Sequence, residues 1–138
     1  MTSAFSEARC KRLDTLLRIR LRDLTHGRCE GCGRLVSGFS SQLSHGFTRK
    51  IKSLRWDRLN VLHLCANCHW AYTNHPPAAE SFLRAQLGDP GYDELVRRWQ
   101  HKINVRQLDY DLIADYIRNL EPGQFPQVSP VPLWELGT

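Results

Sequence analysis

The chain carries four thiols in two pairs, Cys29-x-x-Cys32 in RCEGCGR and Cys65-x-x-Cys68 in LCANCHW, with 32 residues between the pairs. Two residues between cysteines let both sulfurs of a tight knuckle face one ion about 2.3 Å away, and two such knuckles complete a tetrahedral four-thiolate zinc site. Gly31 and Gly33 suit the first knuckle, where backbone amides turn toward sulfur. A redox-active pair needs only one C-x-x-C and a βαβ context, which this sequence does not offer. Four protein ligands leave a Zn2+ no position for water or substrate, so its expected role is structural. Cys10, the fifth cysteine, reads as a helix residue without chemical role.

The six histidines divide into two groups. His26 and His101 sit in basic or polar helix-end contexts and read as solvated. His75, just before Pro76-Pro77, reads as a cap or surface residue. His63, two positions before Cys65 in an apolar run, reads as a satisfied core or strand histidine and not as a ligand. His45 and His69 differ because Asn60 lies between them and both knuckles bracket the set. The order His45, Asn60, His69, with the last directly after Cys68, resembles the layout of the HNH nucleases, the ββα-metal fold. In that layout the first His ends one strand of a hairpin, the Asn lies on the second strand, and the last His is on a helix.

The likeness narrows further. The stretches LDTLLRIRLRDLTHGRCEGCGRL, SHGFTRKIKSLRWDRLNV and CANCHW, followed by GYDEL and DLIADYIRNL, look like the phage NinG (Rap) recombination endonucleases over roughly residues 10–120. That resemblance implies an α+β protein: a small zinc-stabilised ββα-metal core, treble-clef-like, with flanking N- and C-terminal helices. It implies metal-dependent hydrolysis of phosphodiester bonds in branched or single-strand-containing DNA, such as four-way (Holliday) junctions, inside a phage-infected or prophage-bearing cytoplasm.

Phosphodiester hydrolysis needs a nucleophile, a neutraliser of charge at phosphorus and a stabiliser of the leaving oxygen. By the resemblance, His45 is the general base for the attacking water, and an unperturbed imidazole pKa of about 6.5 suits that task. Asn60 either orients His45 through the loop backbone or lends its carbonyl to the metal. His69 is the ligand for a catalytic Mg2+ or Mn2+ on the scissile phosphate. The chain departs from many HNH enzymes at Ser44, where an Asp or His would be a second ligand; a hydroxyl is much weaker. Between base and Asn, FTRKIKSLRWDR places Arg49, Lys50, Lys52, Arg55 and Arg58, side chains expected to grip the DNA backbone without reading sequence. Trp56 reads as a core residue locking the hairpin, with stacking on an unpaired base as the other role.

These residues need elements to hold them. From Ser6 to Thr25, Leu13, Leu16, Leu17, Leu21 and Leu24 recur at helical spacing among Arg9, Lys11, Arg12, Arg18, Arg20 and Arg22, which predicts an amphipathic basic helix stopped by Gly27. The zinc-centred unit is the expected partner of its apolar stripe. Residues 28–64, with RLVSGF and LNVLHL, read as short strands and turns. CANCHWAYTN suits a short helix ended by Pro76-Pro77. AAESFLRAQLG, YDELVRRWQHK and DYDLIADYIRNLEPG read as three further helices, broken near Gly88 and Gly91, with Asp109 as an N-cap of the last. The expected division is a basic helix over 1–26, a zinc-bound core over 27–76, a helical extension over 77–121 and a Pro-rich tail over 122–138.

Charge supports a polyanionic partner. Residues 1–58 hold 13 Lys/Arg against 5 Asp/Glu, a balance of +8, whereas residues 59–138 hold 6 against 9, a balance of −3. A basic half points to nucleic acid docking on one face. No apolar run reaches the roughly 18 residues of a membrane span, and MTSAFSEARCKRL lacks the apolar core of a secretion signal; a soluble intracellular protein without membrane partners is expected. Two active sites would suit a junction-cutting enzyme, so a homodimer is the expected assembly. The competing readings are a zinc-stabilised DNA-binding module that does not cut, a zinc-held protein-interaction domain, and a sequence-specific nicking or homing-type HNH enzyme.

Overall fold

A computed structural model describes residues 6–36, 38–46, 52–101 and 110–121. The expectations for Arg49, Lys50, the Asp109 cap and the tail over 122–138 lie outside the described residues. Helix α1 spans Glu7–Leu24. Ser6 caps it by accepting the Arg9 N–H at 3.3 Å, and Glu7 in the first turn complements the helix dipole. His26 and Gly27 then turn left-handed, at φ 55° and 74°. The Gly27 N–H closes back on the Arg22 carbonyl at 2.8 Å, so Gly27 is the stop its sequence position predicts.

After a 3₁₀ turn at Gly38–Ser40, strand β1 (Gln42–His45) pairs antiparallel with β2 (Val61–Leu64), Leu43 opposite His63 and Ser44 opposite Leu62. A short helix α2 (Lys52–Arg55) and a second 3₁₀ turn (Arg58–Asn60) lie between the strands. The described residues of RLVSGF form no strand; their contribution is one isolated bridge, Arg28 to Leu35, beside the first knuckle. Helix α3 (Ala66–Asn74) follows, and His75 both ends it and precedes α4 (Pro76–Gln100), whose first turn tolerates two prolines because its N–H groups need no helical partner. Gly88, at φ 71° and ψ 164°, breaks α4 in two, as the sequence spacing anticipates. Helix α5 spans Tyr110–Arg118. No helix among the described residues is long and apolar enough to cross a membrane.

Two cores hold these elements. In the first, Cys10, Leu13, Leu17 and Leu21 of α1 meet Ile113, Ala114 and Ile117 of α5, and Trp56 and Val61 join them from the hairpin. The stripe of α1 therefore finds its main partner in the C-terminal helix, a correction to the expectation that the zinc unit would cover it. The reason is area: α5 presents its own apolar face at helical spacing, and each fully buried aliphatic side chain is worth about 1.5–3 kcal/mol. Cys10 is plain core. The second core joins Leu54, Leu59, Leu62 and Leu64 to Leu83, Leu87 and Leu95 of α4. A buried ion pair seals that junction: Arg98 of α4 donates to both carboxylate oxygens of Asp57 at 2.8 Å each. Asp57 in turn accepts the Leu59 N–H at 3.0 Å and starts the 3₁₀ turn that delivers Asn60.

Candidate functional site

The two knuckles converge. The Sγ atoms of Cys29, Cys32, Cys65 and Cys68 all lie within 4.8 Å of one another, and Cys32 and Cys65 stand 3.9 Å apart. A tetrahedron of thiolates at about 2.3 Å from one ion has edges of this size. Backbone N–H groups already face sulfur: Gly31 and Cys32 toward Cys29 at 3.3 and 3.5 Å, and Cys68 toward Cys65 at 3.4 Å. Burial works to raise the Cys29 thiol, but the N–H groups of Cys32, Cys65 and Gly31 outweigh it and bring the group down to about 7. Cys68 is pushed the other way, by burial first and then by its neighbouring thiols. Four crowded thiols cannot all ionise without a cation between them, so the donor set fits a soft divalent metal such as zinc.

The hairpin is fixed around this centre by His63 and Glu30. His63 is fully buried; its Nδ1 faces the Arg28 carbonyl at 2.9 Å and its Nε2 the Ser41 hydroxyl at 2.6 Å. It is the satisfied core histidine that the sequence suggests. The Glu30 carboxylate accepts from the His63 N–H at 3.3 Å and from Arg58 at 3.0 Å.

His45 and His69 come together. Both line one cavity of about 480 Å³, with Ser44 and Ser41 from the hairpin, Thr73 from α3, and Asp14, Thr15 and Arg18 from α1. His45, ending β1, directs Nε2 at the Arg55 carbonyl at 3.0 Å. That bond makes Nε2 the N–H donor and Nδ1 the basic nitrogen of the ring. His69 sits in the first turns of α3, held by its N–H on the Cys65 carbonyl at 2.9 Å. Three buried polar atoms, His69 Nδ1, Ser44 Oγ and Ser53 Oγ, have no hydrogen-bond partner among the described residues, and the first two belong to residues that line the cavity. A buried polar group left so costs about 1–3 kcal/mol.

Asn60 is fully buried and is not among the cavity's walls. Its Nδ2 donates to the Leu54 carbonyl at 2.9 Å, and its own carbonyl accepts the Gly46 N–H at 2.6 Å. It therefore ties the loop at Leu54 and at Gly46, the residue after His45. Gly46 is required at that clamp, because a Cβ there would lie 2.8 Å from Leu83 and 3.2 Å from Asn60 Oδ1.

The cationic loop is corrected in part. Arg58 is 6 % exposed and donates to Glu30 and to the Val61 carbonyl at 2.8 Å, so it braces the fold and does not face a DNA backbone. Arg55 lies against Asp14 through Nε at 3.0 Å and Nη2 at 2.5 Å, and this carboxylate raises its already high pKa. Lys52 opens α2. Trp56 is a core residue, fully buried, with Nε1 donating to Asp14 at 2.9 Å.

Asp14 and Arg18 are residues that the sequence reading missed. Asp14 holds Arg55 and Trp56 from α1, and the Arg55 carbonyl holds His45, so a helix distant in sequence fixes the imidazole. The available signal was an acid at the edge of a leucine stripe otherwise flanked by basic residues. No protein-family model matches the chain, and neither a curated protein nor a solved structure matches it.

Proposed function

We propose that the protein is a metal-dependent endonuclease of the HNH type, resembling the phage NinG/Rap enzymes, that hydrolyses phosphodiester bonds in branched DNA. The observation that carries the reading is the one cavity that His45 and His69 line together. In this reading the four cysteines hold a structural zinc that fixes α3 to the hairpin. His45, with Nδ1 as its basic nitrogen, takes the proton of the attacking water. His69 would hold a Mg2+ or Mn2+, which would supply Lewis-acid charge at the scissile phosphate. Asn60 and Asp14 act through the backbone: Asn60 keeps the loop closed on Leu54 and Gly46, and Asp14 keeps Arg55 under His45.

The test is cleavage of a labelled four-way junction and a linear duplex of matched sequence, with Mg2+, Mn2+ or neither. Metal-dependent cutting, preferential at the junction, is the expected result. Binding without cutting under every condition would turn the reading into that of a zinc-stabilised DNA-binding module. Cutting at one sequence in both substrates would instead favour a sequence-specific nicking enzyme.

A further inference from the structure

We propose that one face of α1, formed by Lys11, Arg18 and Arg22, is the track on which the polynucleotide backbone lies as it enters the cavity. This inference rests on the nuclease reading for its substrate but on separate residues for its support. The sequence places the phosphate grip in the loop between His45 and Asn60, yet Arg55 and Arg58 of that loop are tied to Asp14 and Glu30. Among the described residues, exposed positive charge beside the cavity is found on the helix, at Arg18.

The basic residues of α1 are not equivalent. Arg9 lies over the Tyr110 ring at 5.0 Å, and Arg20 donates through Nε to the Leu120 carbonyl at 3.0 Å, so both secure α5. Lys11, Arg18 and Arg22 are spaced seven and four apart, and at 3.6 residues per turn they fall within about 40° of one another. All three are exposed. Lys11 meets Glu7 in a surface pair with both side chains mostly in water, which competes weakly with a phosphate. No ion pair among the described residues takes up Arg18 or Arg22.

The apolar stripe of α1 is sealed on α5, and Arg18 with Thr15 forms part of the cavity wall. The ridge therefore passes the candidate reacting centre at its middle residue, Arg18. At 1.5 Å per residue it is about 16 Å long, the rise of about five nucleotides of a single strand at 3.4 Å each. A row of point charges with flexible stems grips phosphates and carries no base readout, as a structure-selective enzyme needs. Arg12, exposed on the same helix about 120° round from Arg18, is the internal control.

The experiment measures binding of a labelled four-way junction to full-length, zinc-loaded protein across a salt series. The variants are Lys11→Gln/Arg18→Gln/Arg22→Gln together and Arg12→Gln alone, all carrying His45→Ala to prevent cutting. Each lost phosphate contact removes about 0.7–0.9 from the slope of log affinity against log salt, so the ridge variant is expected to lose about 2–3 while Arg12→Gln keeps the parent's slope. Circular dichroism and zinc content must match the parent, as expected for substitutions on a solvent-facing side. A ridge variant that keeps the parent's slope overturns the inference and leaves the ridge to an acidic protein partner. Cleavage by the His45-containing protein is assayed in parallel. Loss of salt-dependent binding in a protein that never cuts sustains the ridge and sinks the nuclease; cutting with an unchanged slope does the reverse.

Discussion

Replacing Arg98 by Met tests whether the second core depends on its buried ion pair. The side chains of Arg98 and Asp57 are 1 % and 0 % exposed, and two contacts of 2.8 Å join them. Met fills comparable volume but leaves the carboxylate without its cation. Removing one partner of such a pair costs about 3–5 kcal/mol, a large share of the 5–15 kcal/mol typical of whole domains. For a chain of this size the loss corresponds to a fall of about 10–20 °C in Tm. The pH dependence carries a sign. Burial already raises the Asp57 carboxyl, with Arg98 pulling it back down; without Arg98 it rises further. A folded-state pKa above the unfolded one means stability is present at low pH and lost as pH rises toward the folded value. The deficit of Arg98→Met relative to the parent should thus be smaller at about pH 5.5 than at about pH 8. Urea unfolding of zinc-loaded proteins at both pH values measures this. Adding Asp57→Asn to Arg98→Met should recover about 1–2 kcal/mol by removing the unpaired charge. A deficit that is independent of pH and not relieved by Asp57→Asn would refute the reasoning and reduce Arg98 to packing.

Stripping the metal with a strong chelator should unfold the hairpin and α3 together, seen as lost helical dichroism restored by Zn2+; because thiolates are the ligands, metal affinity should fall as pH falls. Asp14→Asn keeps the shape but weakens the grip on Arg55 and Trp56, so we expect retained zinc and a cleavage rate lowered about tenfold, with substrate affinity little changed. Asn60→Ala removes the Leu54 clamp from a fully buried position and should cost about 1–3 kcal/mol in denaturant titrations, with a larger proportional loss in cleavage than in binding.

Much of this arrangement is legible in the chain because the responsible forces are local. The C-x-x-C spacing fixes each knuckle, the leucine period fixes α1, and Gly88 breaks α4 wherever it is packed. His45 and His69 meet because two thiol pairs force the hairpin and α3 onto one centre. What the chain does not reveal is pairing between distant elements. The leucine stripe of α1 and the stripe of α5 each need a partner, and only the packed structure matches them. The partners of Arg55 and Arg58 stayed hidden for the same reason. An Arg in a turn looks solvated until Asp14 or Glu30, 41 and 28 residues away, closes on it. Asp14 was hidden because its effect on His45 passes through a backbone carbonyl, a contact that leaves no mark on residue type.

Chemical rescue of His45→Ala asks whether His45 acts as the base of a hydrolytic cavity. His45→Ala, shown to retain zinc, is mixed with the four-way junction, Mg2+ or Mn2+, and increasing imidazole. Cleavage absent without imidazole and restored in proportion to its free-base form is the predicted result. A His45→Ala protein that cuts at the parent's rate without imidazole would contradict the account.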